Sequence, residues 1–166
     1  MRNQYKVLAE KYEQVLEAVQ EPVMTVNKSG DKEWRLNGKL HRLDGPAIEW
    51  ADGTESWFHN GYLHRLDGPA VKSADGTTVW KRYGKFHRLD GPAIEWASGA
   101  KDWWQNGKRH RLDGPAVIGA DGSKAWYING KNYSEKEFNK EIWNRNPARV
   151  RILKKASGKA GIEMDI

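Results

Sequence analysis

The seven-residue string His-Arg-Leu-Asp-Gly-Pro-Ala begins at His41 and returns at His64, His87 and His110, each time after a step of 23 residues. A fixed period of this length marks a repeat architecture, in which each supersecondary unit buries its apolar surface only against copies of itself. Four full repeats run 32–54, 55–77, 78–100 and 101–123, with a half repeat at 22–31 before them and a partial one at 124–131 after them. The third position of every full repeat is tryptophan: Trp34, Trp57, Trp80 and Trp103. Trp126 holds that place in the partial copy.

Turn chemistry sets the kind of repeat. Asn-Gly stands at 37–38, 60–61, 106–107 and 129–130, and Tyr-Gly at 83–84. Such pairs between strand-like segments supply the positive φ angles of a tight hairpin turn. A second strand follows the string, as at Ile48-Glu49-Trp50, and ends at Asp52-Gly53, Asp75-Gly76, Ser98-Gly99 or Asp121-Gly122. The expected fold is mainly β: an elongated antiparallel β-meander of stacked hairpin repeats, forming a single-layer twisted sheet. A hydrophobic content of 38% with nine Trp suits a thin layer that relies on a few large aromatic residues.

An α-helix is expected as a cap at each end, because bare sheet edges invite aggregation. Residues 1–21 carry Tyr5, Leu8, Tyr12, Val15, Leu16 and Val19 at helical spacing. Ser134 with Glu137 reads as a capping box that opens a second helix within 132–146. Residues 147–166 read as a basic, flexible tail.

The net charge of +6 is unevenly placed. Residues 1–31 hold 4 basic and 5 acidic groups, 32–123 hold 14 and 12, and 124–166 hold 10 and 5. The repeats are therefore close to neutral and the basic excess belongs to the end, where Arg145, Arg149, Arg151, Lys154, Lys155 and Lys159 follow one another without an acid between them. The chain has no Cys, which excludes a disulfide framework and thiolate metal sites. No apolar run reaches membrane-spanning length and no secretory h-region opens the chain, so a cytoplasmic protein without membrane association is expected.

The ladder of His41, His64, His87 and His110 with Asp44, Asp67, Asp90 and Asp113 invites a metal-site reading. Spacing argues against it. Equivalent residues in successive hairpins lie two strands apart, about 9.5 Å, whereas ligands of one zinc sit about 2.0–2.2 Å from the ion. These residues, with the recurring tryptophans, are assigned to the structural frame. The imidazole bonds a loop backbone, the Arg42-type and Asp44-type groups pair, the Leu43-type side chains pack inward, and Gly-Pro sets the re-entry into the second strand. Neither metal nor cofactor is expected. Four equal copies of one motif lack the asymmetry of an active site, and the sequence has no phosphate loop and no Gly-x-Ser-x-Gly, so no catalytic residue is assigned.

The unit combines an aromatic strand, an Asn-Gly-Lys turn, a central His and an Ala-Asp-Gly turn, most clearly over Trp34 to Gly53. It resembles the MORN repeat (membrane occupation and recognition nexus) over residues 22–131. That resemblance implies β-hairpins stacked into a single-layer sheet that serves as an interaction scaffold. Where the family tends to place a His-Gly-x-Gly-like stretch, this chain has His-Arg-Leu-Asp-Gly-Pro-Ala, similar to repeats in bacteriophage and prophage proteins; the departure tells against a lipid-binding role. The resemblance thus implies a phage-encoded inhibitor of a host defence or nuclease complex, a counter-defence or anti-CRISPR-like protein acting in the host cytoplasm. Some bacterial antitoxins also carry MORN-like repeats, so an antitoxin or immunity-type inhibitor stands as a further reading.

A protein is the expected partner. Specificity in a repeating frame falls to positions that differ between copies, here Arg35, Phe58, Lys81, Trp104 and Tyr127 beside the recurring Trp, with Leu36, His59, Arg82 and Gln105 following them. The alternative partner is nucleic acid, bound by this mixed aromatic and basic row together with the basic tail.

Overall fold

The computed structural model describes residues 21–145. The helix expected over 1–21 has only its last residue among them, and the tail at 147–166 lies outside them. The chain divides after Gly84 into an N-terminal half and a C-terminal half. Both are mainly β, built as antiparallel meanders of short strands, and one helix lies among the described residues.

In the N-terminal half the strands are β1 (Val23–Val26), β2 (Lys32–Leu36), β3 (Lys39–Leu40), β4 (Ile48–Glu49), β5 (Glu55–Ser56), β6 (Phe58–His59), β7 (Tyr62–Leu63), β8 (Val71–Lys72), β9 (Thr78–Val79) and β10 (Lys81–Arg82). Strands β1, β2, β4, β5, β8 and β9 pair in that order. The C-terminal half holds β11 (Lys85–Phe86), β12 (Ile94–Glu95), β13 (Lys101–Asp102), β14 (Trp104–Gln105), β15 (Lys108–Arg109), β16 (Val117–Ile118), β17 (Lys124–Ile128), β18 (Lys131–Tyr133) and α1 (Glu135–Asn144). There β12, β13, β16, β17 and β18 pair in order.

Each repeat is more finely divided than two strands and two turns. In the second, third and fourth repeats the strand that contains the Trp is interrupted there, whereas β2 runs unbroken through Trp34, and the second repeat shows why. Before Trp57, β5 pairs with β4 on one side and β8 on the other. At Trp57 the N–H donates to Ala70 O and the carbonyl accepts from His64 N–H. Beyond it, β6 pairs with β7 across the Asn60-Gly61 turn. The heptapeptide loop lies between β7 and β8, so the partner on that side changes at the tryptophan. All five turn residues that precede glycine have positive φ, from 46° at Tyr83 to 52° at Asn106, which accounts for the Asn-Gly pairs.

The core is thin. Its buried apolar side chains are Ala47, Ile48, Ala70, Ala93, Ile94, Ala116, Ile128 and Phe138. The helix packs Phe138 toward β17 and β18. Its N-terminus carries the expected capping box, with Ser134 Oγ accepting from the Glu137 N–H and the Glu137 carboxylate accepting from the Ser134 N–H.

Candidate functional site

The same contacts hold every heptapeptide loop. The motif imidazole presents Nδ1 to a backbone N–H at the hairpin turn of the following repeat. Asn60 donates to His41 at 3.2 Å, Tyr83 to His64 at 3.1 Å, Asn106 to His87 at 3.2 Å and Asn129 to His110 at 3.0 Å. At His41 and His87 the same Nδ1 also lies 2.8 Å and 3.0 Å from the side-chain oxygens of Asn60 and Asn106, so which of the two bonds is made follows the tautomer.

In the first, second and fourth loops the arginine that follows lies over the repeat's tryptophan. The guanidinium carbons of Arg42, Arg65 and Arg111 stand 4.0 Å from the ring centroids of Trp34, Trp57 and Trp103. In all four loops Nε donates to the aspartate two places on, at 2.8–3.0 Å, and Nη1 donates to the proline carbonyl. These arginine bonds hold the carboxyls of Asp44, Asp67, Asp90 and Asp113 below the ordinary aspartate value. Glycine next leaves room for this arrangement: a Cβ at Gly45 or Gly68 would stand 2.8 Å from the guanidinium carbon of Arg42 or Arg65 and displace it.

The leucines do not pack inward as expected. Leu43, Leu66, Leu89 and Leu112 are exposed, at 78%, 65%, 69% and 45%. The Arg–Trp stack already fills the inner side of the loop and leaves the leucine at its outer surface. Among the described residues, no group of three or more His, Asp or Glu is placed to hold a metal ion.

The variable positions differ in kind between the halves. In the N-terminal half, Arg35 is bound by Glu33 at 2.8 Å and donates to the Gly38 carbonyl, while Leu36 beside it is half-buried. Phe58 is half-buried opposite Leu63, Lys81 is half-buried, and Arg82 is exposed. His59 gathers other titratable rings around it: its centroid is 4.8 Å from His41, 5.7 Å from His64 and 6.2 Å from Tyr83. Tyr83 in turn lies 4.1 Å from His64. Burial first, then the nearby His59 and Arg82, pushes the His64 imidazole below its ordinary pKa. Tyr83 holds φ 46° at a turn position that is Asn in the other hairpins, a conformation costing a non-glycine residue about 1–2 kcal/mol.

In the C-terminal half the variable positions form an aromatic and cationic group. Phe86 and Trp104 have centroids 5.2 Å apart, and the Arg109 guanidinium lies 5.2 Å from the Trp104 ring and 5.4 Å from that of Tyr127. Arg109 donates to Asp102 Oδ2 at 3.0 Å from Nη2 and 3.3 Å from Nε, and Trp104 Nε1 donates to the same oxygen at 3.2 Å. Asp102 is 1% exposed, sits between Ile94 and Val117 in the sheet register, and its other oxygen is buried without a hydrogen bond. Gln105 lines the neighbouring cleft with Trp103 and His110. Arg145 is bound to Glu141 at 2.9 Å, and Arg149, Arg151, Lys154, Lys155 and Lys159 lie outside the described residues.

The structure therefore brings Trp104 and Tyr127 together through Arg109, which sequence reasoning passed over along with Asp102 and Tyr83. A signal for Arg109 existed, since it stands where other repeats have Leu40, Leu63 and Phe86. No protein-family model matches the chain, and comparison with curated protein sequences likewise returns no match.

Proposed function

We propose that this protein is a non-catalytic protein–protein interaction module whose variable hairpin positions recognise the partner. Its resemblance to repeats of phage and prophage proteins extends the proposal to an inhibitor of a host defence or nuclease complex. The observation that carries the reading is the group of Phe86, Trp104, Arg109 and Tyr127, half-buried and packed side by side on a repeating frame. Aromatic and arginine side chains of this kind dominate the energetics of protein interfaces, since they bury large area at low entropic cost. The test is affinity capture by the full chain from nuclease-treated host lysate. A specific band that is lost with Trp104→Ala and Tyr127→Ala supports the reading, and a band that both variants retain at full strength overturns it.

One observation favours nucleic acid as a second reading. In the C-terminal half Lys85, Lys108 and Lys131 all follow hairpin turns and are exposed. Phosphate binding by such a row would weaken steeply with salt, and deletion of 145–166 would weaken it further.

A further inference from the structure

Six of the seven residues in the repeated string have structural work in the fold. His accepts an N–H from the next hairpin, Arg covers Trp and binds Asp and the Pro carbonyl, Gly leaves room for the guanidinium, and Ala is fully buried. Leucine is the exception. It recurs unchanged four times, yet stands at the outer surface of each loop.

We propose that the clefts between consecutive loops, one in each half, are docking sites for a polypeptide segment that carries an apolar side chain flanked by Lys or Arg. The proposal rests on the protein-binding reading and adds a second contact surface to it. In the N-terminal half, Leu43 and Leu66 flank a cleft of about 510 Å³ whose lining includes Trp57, Phe58 and Tyr83. In the C-terminal half, Leu89 and Leu112 flank one of about 640 Å³ lined in part by Trp103. Successive loops are about 9.5 Å apart by strand spacing, so the two leucines of one cleft can close on a single apolar side chain.

Charge selects the flanking residues. The arginines beneath are only 20–21% exposed and engaged by Asp, the Pro carbonyl and, for Arg42 and Arg88, by Glu49 and Glu95. The aspartates are 81–83% exposed. The arginine Nε bond runs to Oδ1, and among the described residues no side chain donates a hydrogen bond to Oδ2 of these exposed carboxylates. The outer surface is thus apolar and anionic, which attracts a cationic segment and repels an acidic one.

The test is selection of random displayed dodecapeptides on the immobilised full chain. The expected result is enrichment of an apolar residue next to Lys or Arg, with binding weakened at least roughly ten-fold by Leu43→Asn, Leu66→Asn, Leu89→Asn and Leu112→Asn together. The leucines are exposed, so the melting midpoint of that variant should stay at the wild-type value. If it falls, Asp44→Asn with Asp67→Asn, Asp90→Asn and Asp113→Asn serves instead and should also remove binding. Acidic enriched peptides, no enriched peptide at all, or undiminished binding to a folded variant overturns the proposal. If any of these occurs while the lysate band still depends on Trp104 and Tyr127, only the leucine clefts are lost; if that band persists in both variants, the hairpin reading falls by itself.

Discussion

The hairpin faces of the two halves are built on the same loop contacts and carry opposite chemistries. Around His59 in the N-terminal half lie His41, His64 and Tyr83, a cluster of imidazole and phenol rings. Around Trp104 in the C-terminal half lie Phe86, Tyr127 and a fixed ion pair, Arg109 on the buried Asp102. The difference teaches that the frame is indifferent to what its variable positions hold. The loop is closed by Arg, Trp, Asp and Gly of its own repeat, so a hairpin can exchange leucine for arginine at position 109 without altering the fold beneath it.

The largest expected effect comes from breaking the C-terminal ion pair. Arg109→Ala leaves a carboxylate buried between Ile94 and Val117 without its guanidinium and should cost about 3 kcal/mol in urea denaturation. Adding Asp102→Ser, the residue at the matching position 56, should recover most of that loss. A cost below about 1 kcal/mol would make the pair no different from an exposed bridge such as Lys72–Glu55 in the other half.

A smaller effect tests the N-terminal ring cluster. Tyr83→Asn relieves the left-handed backbone and gives up the ring contact with His64. It should leave stability within about 1 kcal/mol of wild type while reducing any binding at the N-terminal cleft. Unchanged binding would remove Tyr83 from the surface.

The smallest effect concerns acid. His64 is shifted below the ordinary imidazole value, and burial followed by Arg145 does the same to His110. As pH falls through about 6.5, the unfolded chain takes up protons that the folded sites refuse, so stability should decline, and it levels off only below the depressed folded values. His59→Gln, which places the Gln105 side chain in the first cluster, removes one cause of the His64 shift. The fall in denaturation midpoint between neutral and mildly acidic buffer should therefore be smaller in that variant. An equal fall would assign the acid response to burial alone.

The period, the turn positions and the C-terminal helix start could all be read from the sequence, because each rests on a local rule. Asn and Gly tolerate positive φ, and Ser134 with Glu137 satisfies a helix N-terminus by contacts three residues apart. Three features could not be read in this way. The strand break at Trp57 depends on a loop inserted from later in the repeat. The exposure of Leu43 depends on Arg42 having filled the space beneath it, and inside a loop no alternation tells inward from outward. The Asp102–Arg109 pair joins two strands across seven residues, visible only once the hairpin register is known. Variation between copies singles out Trp104 and Tyr127, which Arg109 links, while Lys81 and Phe58 belong to the other half.

The bond from hairpin turn to motif histidine gives the chain a direction. Every heptapeptide looks forward, to the N–H of a turn that has not yet been made when the loop itself is complete. The hairpin at Asn129-Gly130 has no heptapeptide of its own, yet its N–H is what His110 requires. Such a chain can lengthen or shorten only by whole copies, inserted with loop and following turn together. A cut elsewhere strands one histidine, and the lattice of loops reads as a sentence in which each clause is closed by the next.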